Sequence, residues 1–246
     1  MNFRPSALAF GLSALILLAA GPAPAQELSL SLGEGETLSA RTIQLILLIT
    51  VLSLAPGLAI MITCFPFIVT VLAILRQGIG LQQSPPNMLI VSLALFLTYF
   101  VMEPVFTEAW TNGIDPLLRD SIDVETAVAR ALEPFRVFMV GRLDADTFTA
   151  LAALRPEAAN LSPDADAPLS VLVPSFLLSE IARAFQIGFL VFLPFLIIDL
   201  VVAAILMSMG MMMVPPVVVS LPFKLAFFVI ADGWTLIADS LVRGYF

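Results

Sequence analysis

Five ionisable residues interrupt otherwise apolar runs late in this sequence: Glu180, Arg183, Asp199, Lys224 and Asp232. Ionisable side chains in such settings are costly and face partners or cavities rather than lipid. Lys224 therefore calls for a nearby carboxylate, and Glu180 and Asp199 are the two candidates. Burial alone favours the neutral forms of acid and base, whereas proximity favours the ion pair, so only a close, hydrogen-bonded geometry keeps both charges. A structural pair is one use of such residues. A proton relay is another, and it would need a hydrated path.

Covalent chemistry finds little support. Asp199 and Asp232 could share a proton as paired catalytic carboxylates do, but the GxGD setting of the intramembrane aspartyl proteases is missing. Ser179 or Ser220 with Lys224 would make a formal Ser-Lys dyad, with nothing to fix an oxyanion hole. There is no His and one Cys, which excludes His-assisted catalysis, ordinary zinc sites and intramolecular disulfides. Cys64 lies in an apolar run and reads as a small buried hydrophobe. Glycine-rich phosphate loops are absent, so nucleotide energy would have to come from a partner. The residues imply no enzyme, no cofactor and no metal. With a formal net charge of -8 and no basic stripe, they also give no footprint for nucleic acid.

The methionines are more suggestive. Met207, Met209, Met211, Met212 and Met213 are half of the ten in the chain, and they surround Gly210 just ahead of Pro215-Pro216. Glycine and the prolines argue for a loop. Methionine is unbranched and polarizable, so a cluster of it fills an irregular gap and then deforms. Ordinary packing in an apolar core is the plain reading. In a ring of copies pointing inward, such loops would close a pore against ions yet yield to a passing chain.

Apolar helices must carry these residues. Hydrophobic residues make up 60% of 246 positions and charged residues 12%, and the mean hydropathy is +1.03. Such a chain needs lipid or apolar partner surfaces. Residues 1–25 read as a signal peptide: Arg4 gives a positive start, Ala7 to Ala20 an apolar stretch, and Ala23-Pro24-Ala25 a cleavage site. An uncleaved helix is the alternative, though the run falls short of the roughly 20 residues of a spanning segment. A cleaved signal puts the new N-terminus, at Gln26, on the periplasmic side of a bacterial inner membrane.

Beyond it, residues 26–42 form a polar periplasmic lead and 43–102 a first apolar helical hairpin. The run from Ile43 to Leu75 is too long for one straight span, and Pro56-Gly57 and Pro66 predict kinks or breaks in it. Residues 103–173 form an acidic, largely helical periplasmic domain; Glu103 to Asp166 alone holds twelve of the nineteen acids. There Phe135, Phe138 and Met139 stand at i, i+3, i+4 and read as that domain's own core, and Arg155 to Pro168 reads as a loop. Residues 174–246 form a second apolar hairpin with the methionine loop at its tip, beginning with an amphipathic helix from Pro174 to Gly188. The fold class is all-α: kinked apolar hairpins around an inserted acidic domain.

The two hairpins share a weak repeat. Pro66-Phe67-Ile68 leads to Gly80 and then Pro85-Pro86, while Pro194-Phe195-Leu196 leads to Gly210 and then Pro215-Pro216. Each reads as kinked helix, glycine turn and double-proline restart. Apolar composition alone also produces such matches.

Two long stretches resemble the signatures of the FliP family and its injectisome counterparts: Pro174-Ser175-Phe176-Leu177-Leu178-Ser179-Glu180-Ile181-Ala182-Arg183-Ala184-Phe185-Gln186-Ile187-Gly188, and Pro194-Phe195-Leu196-Ile197-Ile198-Asp199-Leu200-Val201-Val202. The turn Gln83-Ser84-Pro85-Pro86-Asn87 and the methionines before Pro215-Pro216 extend the likeness. This resemblance implies a subunit of a type III protein export gate: about five copies arranged helically with FliQ-like and FliR-like subunits in the flagellar basal body, passing unfolded flagellar proteins. It implies that Met209, Met211, Met212 and Met213 form a gasket around the closed pore and that Glu180 and Lys224 form an internal charge pair; the apolar setting itself gives Arg183 and Asp199 as further buried ionisable residues. It also implies that some apolar helices pack in the assembly rather than cross the bilayer. A small-solute or ion transporter would share the broken helices and buried charges.

Overall fold

The computed structural model describes residues 38–81, 85–158, 161–211 and 213–245. Among them every regular element is helical and none is a strand, so the chain is all-α. Contacts divide the chain into two units, Met1–Thr50 and Val51–Phe246. The signal peptide, most of the lead and the turn residues Gln82 to Ser84 lie outside the described residues.

Helix α1 is Leu38–Met61. Its residues 42–50 are exposed, and Thr50 Oγ1 donates to Ile46 O at 2.7 Å, the back-bond of a threonine inside a helix.

The chain breaks at Ile62–Cys64, and α2 (Phe65–Ile79) follows with Pro66 in its first turn. Pro56 is carried inside α1. The interruption therefore falls just before Pro66, where a missing N–H costs nothing because first-turn donors have no helical partner. Gly80 closes α2 in the left-handed conformation (φ 89°), its N–H donating to Gln77 O at 3.1 Å. The apolar spacing Phe67, Ile68, Val71, Leu72, Leu75, Ile79 puts one buried face along α2.

That face meets α7, a single helix of 40 residues (Leu169–Ser208) that runs through Pro174 and Pro194. The boundary read at Gly188 is absent. Gly188 instead lies directly under Ile74, while Gly78 of α2 lies under Phe192 and Phe195, so small residues of each helix receive large ones of the other. At 1.5 Å per residue, α7 is about 60 Å long, twice the roughly 30 Å hydrocarbon core of a bilayer. Only part of it can sit in lipid.

Helix α3 (Asn87–Ala109) carries Pro104 inside and continues through a π-turn, Trp110–Ile114, into α4 (Asp115–Leu118). The helix thus continues past Glu103-Pro104. Then come α5 (Val124–Arg142), α6 (Ala145–Ala152), and, after α7, α8 (Pro216–Ile230) and α9 (Gly233–Arg243). Asp123 and Asp144 cap α5 and α6 by accepting from Thr126 and Thr147.

In the acidic stretch, the apolar stripe on α5 packs both within that stretch and beyond it. Met139 packs with Leu172 and Phe176 of α7, Phe138 meets the Phe176 ring edge-on at 5.8 Å, and Phe135 meets Phe106 of α3 at 5.8 Å. A smaller cluster around Phe148, Ala152, Ala158 and Ala167 sits under α6 and the loop after it.

By length and composition, three described helical stretches could cross a membrane: Thr42–Met61, Asn87–Leu118 and Leu169–Ser208. The pair α8 and α9, bent by 61°, would make a fourth, broken span.

Candidate functional site

Lys224 is on α8 and only 3% exposed. Its Nζ lies 2.6 Å from Asp199 Oδ2 and donates to Gly78 O at 3.1 Å. Gly78 belongs to the last turn of α2, where carbonyls have no helical donor, so the ammonium satisfies an oxygen that the helix leaves over. Ser220, one turn before Lys224 on the same face, donates its hydroxyl to Asp199 Oδ1 at 2.5 Å, with Val217 O 3.2 Å away as the alternative acceptor. Three helices thus meet in one polar node. It borders a cleft of about 640 Å³ walled in part by Thr70, Arg76, Gln77 and Phe192.

Glu180 has other company. Its carboxylate is fully buried and accepts from Tyr245 Oη at 2.6 Å and from Arg142 Nε at 3.2 Å, with Arg183 Nη1 at 3.5 Å. Arg142 also donates to Gly244 O at 2.7 Å, and its guanidinium lies 4.1 Å from the centre of the Tyr245 ring. Within this chain the implied Glu180–Lys224 pair is therefore replaced by two separate clusters. The reason is geometric: Glu180 and Asp199 lie on one continuous α7, 19 residues or about 28 Å apart along its axis. A lysine that touches Asp199 cannot reach Glu180.

The methionine turn joins α7 to α8. Gly210 is left-handed (φ 75°), and the N–H groups of Gly210 and Met211 donate to Met207 O at 3.1 Å and Leu206 O at 2.9 Å, closing α7. Gly80 does the same for α2, so both glycines of the sequence repeat take the left-handed turn. Met209, Met211 and Met213 are exposed, Met213 to 98%, and Met212 lies outside the described residues. Met209 and Met211 border an apolar groove of about 570 Å³ that runs down between Val202 and Phe223.

The remaining singled-out groups do not join these clusters. Asp232 is exposed at the break between α8 and α9, in the left-handed region. Ser179 donates to Ser175 O at 2.7 Å and accepts the N–H of Asp144 at 2.9 Å. Cys64 is buried and free. Sequence reading missed Arg142 and Tyr245. The i, i+4 spacing of Ser220 and Lys224 was the one local signal that could have pointed to a shared partner.

The FliP family model matches residues 48–241 of the chain. The chain is 50% identical over 221 residues to the flagellar biosynthetic protein FliP of Caulobacter vibrioides, an alignment covering 88% of this chain and 81% of that one. It is 52% identical over 199 residues to the protein of that name from Rhizobium meliloti, covering 80% and 81%. With the Bacillus subtilis protein of that name it shares 47% over 208 residues, covering 83% and 92%.

Proposed function

Because this chain belongs to the FliP family, we propose that it is a core pore-forming subunit of the flagellar type III protein export gate, passing unfolded flagellar proteins and closing the pore with its methionine turn. Several copies, about five, assemble with FliQ-like and FliR-like subunits in the inner membrane at the flagellar basal body, and the acidic segment faces the periplasm.

The carrying observation is the exposure of Met209, Met211 and Met213 at the turn between α7 and α8, with Met213 exposed to 98%. Exposed methionines cost apolar surface in water, so a turn that bears them calls for a covering partner, and other copies of the same turn would supply it. Unbranched side chains in a ring can exclude water at rest and part around an extended chain. The Lys224–Asp199 node ties α8 to α7 and α2, giving the turn a fixed base on both sides.

The test changes Met211, Met212 and Met213 together to alanine in assembled gates and measures resting ion leakage alongside export. Leakage should rise while the gate still assembles. An assembled variant as tight as the original sinks the gasket.

A further inference from the structure

Helix α9 is fixed at both of its ends by contacts of different kinds. At its start, the chain bends by 61° between α8 and α9. Asp232 takes φ 48° there, a left-handed conformation that side-chain-bearing residues rarely adopt, and its carboxylate accepts from Thr235 Oγ1 at 3.1 Å. Gly233 is pressed against the ring of Phe228, where a side chain would collide, and Phe228 meets Trp234 edge-on at 5.3 Å. The bend is thus a specific close-packed corner.

Past its other end, Gly244 and Tyr245 are held by α5 and α7. Arg142 donates to Gly244 O at 2.7 Å, and Tyr245 Oη donates to Glu180 Oε2 at 2.6 Å. The Tyr245 ring stacks on Phe138 at 6.1 Å and meets the edge of Phe67 at 5.7 Å. Burial, and then the Glu180 charge, push the phenol well above its ordinary range, so it stays a proton donor. Between these two anchors, α9 buries Gly233, Ile237 and Leu241, while Leu236 is exposed.

We propose that Tyr245 is a latch that holds α9 at its bent angle to α8, with Asp232–Gly233 as the hinge. Release of Tyr245 from Glu180 and Arg142 lets α9 swing, and the same event loosens the C-terminal turn of α5, because Arg142 is the shared partner. The device belongs to the single chain and does not rest on the export reading.

Spin labels at Val218→Cys and Leu236→Cys, both exposed positions, report the α8–α9 angle in the purified chain by electron–electron distance measurement. A second pair, Glu108→Cys and Val128→Cys, both exposed positions, reports α3 against α5. Tyr245→Phe keeps the ring and removes the hydroxyl; it should broaden the first distribution toward longer distances and leave the second unchanged. Tyr245→Ala should shift the first further. An unchanged first distribution in Tyr245→Phe overturns the latch, and so does equal broadening of both pairs, which would make Tyr245 a general core residue. If Tyr245→Ala fails to fold, the phenylalanine variant alone decides.

Discussion

Lys224 Nζ lies 2.6 Å from Asp199 Oδ2, and Ser220 holds the other oxygen of the same carboxylate at 2.5 Å. The ammonium is almost fully buried, whereas the Asp199 side chain keeps 27% exposure. Losing the acid is therefore costly, since Lys224 would retain Gly78 O alone. We predict that Asp199→Leu lowers unfolding stability by about 3 kcal/mol, the low end for a broken buried pair because Asp199 is partly solvated. Asp199→Leu with Lys224→Met should recover most of that loss. Denaturation of the two single variants and the double one, in one detergent, gives the coupling; simple additivity would refute the pair.

The caps of α5 and α6 predict the acid limb of the stability curve. Asp144 accepts from the N–H and hydroxyl of Thr147 at 2.8 and 2.9 Å, and Asp123 accepts from the hydroxyl and N–H of Thr126 at 2.6 and 3.4 Å. The Thr147 backbone bond chiefly holds Asp144 below its ordinary 3.8, and the Thr126 hydroxyl does the same for Asp123. A depressed folded-state pKa means stabilisation that is complete above the unfolded value and lost as pH falls through the folded one. The thermal midpoint should therefore hold down to about pH 4 and decline below it. Asp123→Asn with Asp144→Asn keeps a capping oxygen but removes the titration, so its decline should be shallower. Equal slopes would remove the caps from the acid response.

Some of this was legible in the residues and some was not, for definite reasons. Pro66 reads as a kink or break and lies at one, whereas Pro56, which reads the same way, is carried inside α1; Gly80 and Gly210 read as turns because glycine acts on the local backbone. The methionine turn was found on the same grounds. Gly188 misled, since a glycine in an apolar run signals either a boundary or a close approach, and only the packing of Ile74 against it decides. That one ambiguity split α7 in two and hid the distance separating Glu180 from Asp199. Arg142 and Tyr245 were out of reach for another reason: they stand 38 and 65 residues from Glu180, and no spacing rule joins them.

Two glycines of the acidic stretch should respond oppositely to alanine. A Cβ at Gly113, in the π-turn, would lie 2.6 Å from Ala131 Cβ, 2.7 Å from Ala127 O and 2.8 Å from Ala131 N. These are backbone or first-carbon atoms and cannot rotate aside, so α5 must shift. Gly113→Ala should cost about 2 kcal/mol. Gly141 is exposed on α5 with open space where its Cβ would be, so Gly141→Ala should gain about 0.5 to 1 kcal/mol from helix propensity. Chemical denaturation of both variants checks the pair; a neutral Gly113→Ala would mean that α5 does not pack tightly on the turn.

Thr98 of α3 is 6% exposed, and among the described residues its Oγ1 is buried without a hydrogen-bond partner. Its carbonyl is used, with Cys64 Sγ at 4.0 Å, but the hydroxyl is not. A buried hydroxyl without a partner costs about 1 to 3 kcal/mol of desolvation, whereas its methyl contributes about 0.8 kcal/mol by burial. The two groups can be separated. Thr98→Val replaces the hydroxyl by a methyl of similar shape and should raise stability by up to about 1 kcal/mol. Thr98→Ser keeps the hydroxyl, discards the methyl and should lower stability by about 1 kcal/mol. Thermal unfolding of the three chains should thus rank valine above threonine above serine. If valine falls as far as serine, the hydroxyl has a partner in the working protein, and the contact between α3 and its neighbours is polar at this point.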